Sequence, residues 1–98
     1  MSDPCLELVI YRLKKGFLEQ FIHERALIVE AYQKMTGFIC IETWHSLKES
    51  NLYVDILHFE NPDYAAQAYD KFNQIPNKSG FMATIEKVEF SQHLTRQL

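Results

Sequence analysis

The hydrophobic pattern changes period several times along the chain, and each change marks an element. From Cys5 to Lys14 side chains alternate, with Leu6, Leu8 and Ile10 on one side and Glu7, Val9 and Tyr11 on the other, as in a half-buried strand. Lys14-Lys15-Gly16 turns the chain. From Phe17 to Met35 apolar residues recur at three- and four-residue steps, at Leu18, Phe21, Ile22, Ile28, Val29 and Tyr32, which is one face of a helix. Thr36-Gly37 ends it, because glycine takes the left-handed conformation of a C-terminal cap. Period two then returns. Phe38 to Ser46 sets Ile39, Ile41, Thr43 and His45 against Phe38, Cys40, Glu42 and Trp44, and Leu52 to Phe59 sets Leu52, Val54, Ile56 and His58 against Tyr53, Asp55, Leu57 and Phe59. The polar stretch Leu47 to Asn51 joins these runs as an antiparallel hairpin with a loop of about five residues.

Asn61-Pro62 predicts a second helix, with asparagine capping free amides and proline at the first helical position. Its narrow stripe is Ala65, Ala68, Tyr69 and Phe72. Gln74 to Gly80 reads as a loop, and Ser79 as the cap of a short turn through Phe81, Met82 and Ile85. Lys87 to Leu94 is the last strand, with Val88, Phe90, Gln92 and Leu94 opposite Glu89, Ser91 and His93. Met1 to Pro4 and Thr95 to Leu98 read as tails.

The order strand, helix, strand, strand, helix, strand predicts a single α+β domain over 1–98. Its fold is the ferredoxin-like βαββαβ, a four-stranded antiparallel sheet with helices on one face. Matching strand faces by composition puts the aliphatic sets under the helices: Leu6, Leu8 and Ile10, Ile39 and Ile41, Val54 and Ile56, Val88 and Phe90. The open face then carries Glu7, Val9 and Tyr11 of the first strand and Cys40, Glu42 and Trp44 of the second. Tyr53, Asp55, Leu57 and Phe59 of the third and His93 of the last complete it. So much apolar area predicts a homodimer packed face to face around a cavity. Arg25 interrupts the apolar stripe of the first helix, so it must either snorkel to the edge or find a carboxylate or backbone carbonyls.

Composition narrows the function classes. Hydrophobic residues make up 47 % and charged ones 23 %, a globular balance, and the net charge of -3 provides no electrostatic footprint for nucleic acid. No apolar run approaches the ~20 residues of a membrane span, and Met-Ser-Asp-Pro lacks the features of a signal peptide, so a cytoplasmic location is expected. Cys5 and Cys40 have no CxxC spacing and read as reduced structural thiols. His23, His45, His58 and His93 lack HxH or HExxH spacing, so no metal site is expected, and His45 and His58 read as neighbours at a sheet edge. No GxSxG, P-loop or dinucleotide fingerprint is present.

The candidate chemistry lies on the mixed strand faces. Glu42 and Asp55, if they share a face, would oppose each other's ionisation and yield a base working near neutral pH, or else be hydrated or paired at a dimer seam. Tyr11 and Trp44 would stack on an aromatic ligand or anchor an interface.

The run GFICIETWHSLKESNLYVDILHFENPDYAAQAY resembles the central motif of the antibiotic biosynthesis monooxygenase family of dimeric α/β barrels. There a Gly-Phe enters the second strand, a polar hairpin follows, and an aromatic closes the third strand. The opening LELVIYRLKKGFLEQF is similar to the same family's first strand and turn, and to NIPSNAP-type barrels. The resemblance implies a homodimer with its cavity between helices and sheet or on the open sheet face. It also implies cofactor-free oxygenation of a small aromatic or quinol-type substrate. Glu42, Asp55 or His93 would then be the catalytic base, and Tyr11, Trp44, Tyr53 and Phe59 would bind substrate. Haem-degrading relatives carry an asparagine where this chain has Val9, and a tryptophan and a histidine ligand in the second helix. Between Asn61 and Glu86 there is neither, and Phe59 stands where tryptophan is usual, so no cofactor is expected. The alternative is a dimeric binding module without turnover, with no nucleic-acid or membrane partner in either case.

Overall fold

The computed structural model of the protein describes residues 3–98. Met1 and Ser2 of the expected N-terminal tail lie outside the described residues. The elements are β1 (Cys5–Leu13), α1 (Leu18–Gln33), β2 (Phe38–His45), β3 (Leu52–Phe59), α2 (Pro62–Phe72), α3 (Lys78–Met82) and β4 (Ile85–Thr95). All strand pairs are antiparallel, in the order β2-β3-β1-β4. The helices cover one face, so the architecture is the expected α+β ferredoxin-like one.

Local signals act as read. Gly37 follows α1 with φ +86°, and the Asn61 side chain accepts the Tyr64 amide at 2.9 Å with Pro62 opening α2. α3 differs: Asn77 rather than Ser79 precedes it, with no side-chain cap bond. The Asn77 amide instead donates to the backbone carbonyl and Oε2 of Glu24 on α1, at 3.0 and 2.8 Å. That tie holds α3 against α1, where α3 closes one end of a cavity.

The larger correction concerns the sheet faces. The side under the helices carries Cys5, Glu7, Tyr11 and Leu13 of β1 and Asp55, Leu57 and Phe59 of β3, all buried. Leu6, Leu8, Ile10, Val54 and Ile56, expected there, are on the opposite face and half-buried. On β2, Ile41 faces the helices and Cys40, Glu42 and Trp44 face away, as expected. Ile39 is 56 % exposed beside a register shift. The physical reason is the bulk needed to fill the space between helix and sheet. Rings from both layers meet there: Tyr11 with Phe21 at 5.9 Å, Phe21 with Phe81 at 5.8 Å, and Tyr32 with Phe38 and Phe72 at 5.5 and 6.4 Å. Aromatic contacts of this kind contribute about 0.5–1.5 kcal/mol each beyond area burial.

Two further expectations change. A register shift lets Ile10 pair with Phe90 and Tyr11 with Val88, so Glu89 is extra: Val88 is on the helix side as expected, but Phe90, expected beside it, is on the opposite face, and His93, expected on the open face, pairs with Glu7 on the helix side. Leu18 and Ile22, placed on the buried stripe of α1, are 48 % and 58 % exposed, and Phe21, Ile28 and Tyr32 carry its packing.

Gly37 offers a test of this packing. A Cβ there would lie 2.2 Å from the Tyr64 ring, on a backbone conformation that side chains rarely adopt. Gly37→Ala should therefore destabilise the chain by at least about 1–2 kcal/mol, read as a lower urea midpoint, whereas Gly16→Ala, with open space around its Cβ, should cost only the backbone strain.

Candidate functional site

Between the helices and the sheet lies a cavity of about 160 Å³. Its floor is Glu7, Val9 and Tyr11 of β1 with Asp55 and Leu57 of β3. Arg25, Ile28 and Tyr32 of α1 face them, Tyr69 and Phe72 of α2 form one flank, and Phe81 and Met82 of α3 another. Val88, turned inward by the β4 register shift, and Ser91 complete the β4 side.

A polar chain crosses this apolar space. The Tyr11 hydroxyl donates to Asp55 Oδ1 at 2.8 Å, and the Thr43 hydroxyl donates to the same oxygen at 2.8 Å. Arg25 Nε and Nη2 both donate to Thr43 Oγ1, at 3.0 and 2.7 Å. Thr43 stands opposite Asp55 in the β2–β3 register, which is why a strand pair positions both. Arg25 is half-buried, and its partner is a hydroxyl rather than the expected carboxylate or carbonyl. Asp55 Oδ2 accepts no hydrogen bond from the described residues. No buried side-chain oxygen or nitrogen among them lacks a partner, so Oδ2 keeps contact with open space.

Burial pushes the Asp55 carboxyl above its ordinary range, against the opposing effects of the Thr43 and Tyr11 bonds and the Arg25 charge. Burial likewise raises Tyr11, and the adjoining Asp55 charge raises it further, so Tyr11 stays a protonated donor. Glu7 is raised by burial too, opposed by its bond to His93 Nε2 at 3.0 Å. Burial of ionisable groups with shifted protonation of this kind is common in catalytic clefts.

The residues singled out from sequence fall into three places. Asp55 and Tyr11 meet in the cavity, and His93 stands at its β4 edge, bonded to Glu7 and 5.8 Å edge-on from Tyr69. Tyr53 and Phe59 share the helix side of the sheet but not the cavity. Tyr53 stacks between Tyr11 and His45, at 6.1 and 4.4 Å, and Phe59 packs edge-on against Phe38 at 5.8 Å. Glu42 and Trp44 are on the opposite face, where Glu42 bonds His58 at 3.1 Å and Trp44 is 60 % exposed. Glu42 and Asp55 therefore do not act on each other as a shared-face pair, and burial is what raises Asp55. His45 and His58 likewise point to opposite faces and do not meet. Sequence reasoning gave no site role to Glu7, Arg25, Thr43, Tyr69 or Met82. The one available signal was Arg25, a cation inside an apolar stripe.

The raised Asp55 carboxyl sets a direction for stability. The folded chain holds this proton more readily than the unfolded chain, so the stabilisation is complete below the unfolded value, near 3.8, and is lost as pH rises through the raised folded value. Asp55→Asn, neutral throughout, should gain on the wild type as pH climbs through that window. Urea unfolding at successive pH values checks it, and a constant difference between the two proteins would contradict the assigned burial effect.

No protein-family model and no curated protein sequence matches the chain. Solved structures match it over nearly its whole length. A candidate antibiotic biosynthesis monooxygenase from Bordetella bronchiseptica superposes with a TM-score of 0.82 at 11 % identity, covering 99 % of this chain and 100 % of that one. SnoaB, a cofactor-independent oxygenase from Streptomyces nogalater, superposes with a TM-score of 0.75 at 18 % identity, covering 99 % and 97 %. A conserved protein from Methanosarcina mazei superposes at 0.79 with 14 % identity, covering 98 % and 95 %. At such identities the likeness is one of fold. The chain has the fold of the antibiotic biosynthesis monooxygenases that its hairpin motif resembles.

Proposed function

We propose that the protein is a cofactor-independent monooxygenase acting on a small aromatic or quinol-type substrate, and that it works as a homodimer. The observation that carries the reading is the buried Asp55 carboxylate at an apolar cavity, with one oxygen fixed by Tyr11 and Thr43 and the other without a hydrogen bond among the described residues. The similarity in fold to SnoaB, described as a cofactor-independent oxygenase, supports it.

In this chemistry Asp55 Oδ2 removes the proton of a phenol or enol. The resulting anion is electron-rich enough to reduce oxygen, and a carbon–oxygen bond forms at a ring carbon that carried hydrogen. The oxygen–oxygen bond then breaks, one oxygen staying as a carbonyl and the other leaving as water with the abstracted protons. The substrate supplies every electron, so the balance needs no flavin, haem or metal. The surrounding Phe72, Phe81 and Leu57 keep water from the anion. A cavity of about 160 Å³ is the size that accepts a benzene-like guest, which favours one-ring quinols over three-ring anthrones.

The open sheet face supports the dimer. It combines half-buried Leu6, Leu8, Ile10, Val54 and Ile56 with Trp44, Phe90 and Leu94, which are 60 %, 39 % and 38 % exposed. A contiguous apolar face of that kind marks an association surface.

Oxygen uptake with hydroquinone-type substrates, without added cofactor, tests the reaction. Its rate should rise with pH through the titration of the base, and Asp55→Asn should lower it by about 100-fold or more. Glu42→Gln, on the far face, should leave it near wild type. Inactivity of the wild type across a broad panel of such substrates would favour a dimeric binding module without turnover. Sedimentation at micromolar concentration tests the dimer separately. Trp44→Glu should weaken association by about 2 kcal/mol or more if this ring is an interface anchor, and a wild-type chain sedimenting as a monomer would remove the dimer from the proposal.

A further inference from the structure

Arg25 is bound in an unusual way. Arg25 lines the cavity, yet the partner of its guanidinium is the neutral Thr43 hydroxyl, and it makes no ion pair among the described residues. Two of its nitrogens are spent on Thr43, while Nη1 has no hydrogen bond there and therefore keeps contact with open space. Thr43 in turn is fully used: its oxygen takes both Arg25 donors, and its proton goes to Asp55 Oδ1. Cation and carboxylate are thus held one hydroxyl apart, near enough for Arg25 to oppose the effect of burial on Asp55. A bidentate ion pair would engage both carboxylate oxygens and two of the guanidinium nitrogens with each other. Held apart, each keeps an unspent atom, Nη1 on one and Oδ2 on the other, beside a cavity of about one ring.

We propose that Arg25, Thr43 and Asp55 form a receptor for the hydroxyl of a one-ring phenol or enol, in which Asp55 takes the proton and Arg25 holds the oxyanion. The inference rests on the cavity being the ligand site of the proposed function. The ligand's O–H bond breaks, an O–H bond forms on Asp55 Oδ2, and no electron is transferred. Negative charge moves from Asp55 to the ligand oxygen, so the cavity's total charge is unchanged and Arg25 faces one anion before and after. Thr43 is the positioning residue, because it fixes the distance over which that charge is handed on.

The test uses 4-nitrophenol, a one-ring phenol whose colour reports its ionisation and which is too poor a reductant to turn over. Asp55→Asn holds the side chain in the neutral state that Asp55 reaches after taking the proton, while its Oδ1 still accepts from Tyr11 and Thr43. Dye bound to that variant should ionise at least about one pH unit below the free dye, the effect of a cation at close range. Adding Arg25→Gln or Thr43→Val should abolish the shift, and Thr43→Ser should keep it. Glu7, with His93 behind it, and Tyr11, Tyr32 and Tyr69 are the other ionisable groups at the cavity. All are common to every variant, so differences between variants report Arg25 and Thr43. Melting curves establish that each variant is folded. Dye that fails to bind, binds with an unshifted titration, or keeps its shift without Arg25 would overturn the receptor. The shift without oxygen uptake by the wild type on any quinol would remove the oxygenase and leave the receptor. Undiminished oxygen uptake in Arg25→Gln and Thr43→Val would do the reverse.

Discussion

A carboxylate in the middle of a helix–sheet interface is the constraint on which the structure turns. Asp55 is 8 % exposed, in a layer otherwise packed with rings and aliphatic chains. Leaving such a group unbonded would cost several kcal/mol, which is why its Oδ1 takes two hydroxyl donors. Each donor comes from a strand next to β3: Tyr11 from β1 and Thr43 from β2. The antiparallel registers bring both to Asp55, so sheet topology and the solvation of one buried group are the same fact.

The aromatic layer around that carboxylate explains the cavity. Tyr11, Phe21 and Phe81 meet on one side, and Tyr32, Phe38 and Phe72 on the other, each set contributing large flat surfaces that do not fill the space between them. Two small devices adjust its walls. The extra residue Glu89 turns Val88 inward, and the Asn77–Glu24 tie fixes α3 so that Phe81 and Met82 close one end. Glu89 itself joins Glu49 around Arg12, with both contacts at 3.1 Å, and pins the hairpin loop to the last strand on the opposite face.

The two faces of the sheet thus divide the work. The helix side holds the rings, the buried acids and the cavity, whereas the other side is a broad aliphatic surface with Trp44 at its β2 edge. Among the described residues no helix is long and apolar enough to cross a membrane, and no group of three metal-binding side chains occurs. The polar side chains lining the cavity are two acids, three tyrosines, a serine and one arginine.

The sequence by itself determined the elements and their order. Period-two and helical patterning, the Gly37 stop and the Asn61-Pro62 start are local signals, and local geometry obeys them: β3 spans Leu52–Phe59 as read. On β1 and β3 strand alternation also fixed which residues share a face, so Tyr11 with Glu7, and Asp55 with Leu57, were grouped correctly, whereas the register shifts of β2 and β4 broke it. Only the tertiary structure decided which face meets the helices, because both faces of β1 and β3 are apolar enough to be buried and the choice lies with the size of the space to be filled. The same ambiguity governed the site. Asp55 and Tyr11 were legible as candidates, but their bond to each other, the exclusion of Glu42 and Trp44 from the cavity, and the roles of Thr43 and Arg25 depend on β2 lying against β3 and α1 lying over both. Contacts between residues separated by 18 or 44 positions arise from packing, which no periodicity along the chain encodes.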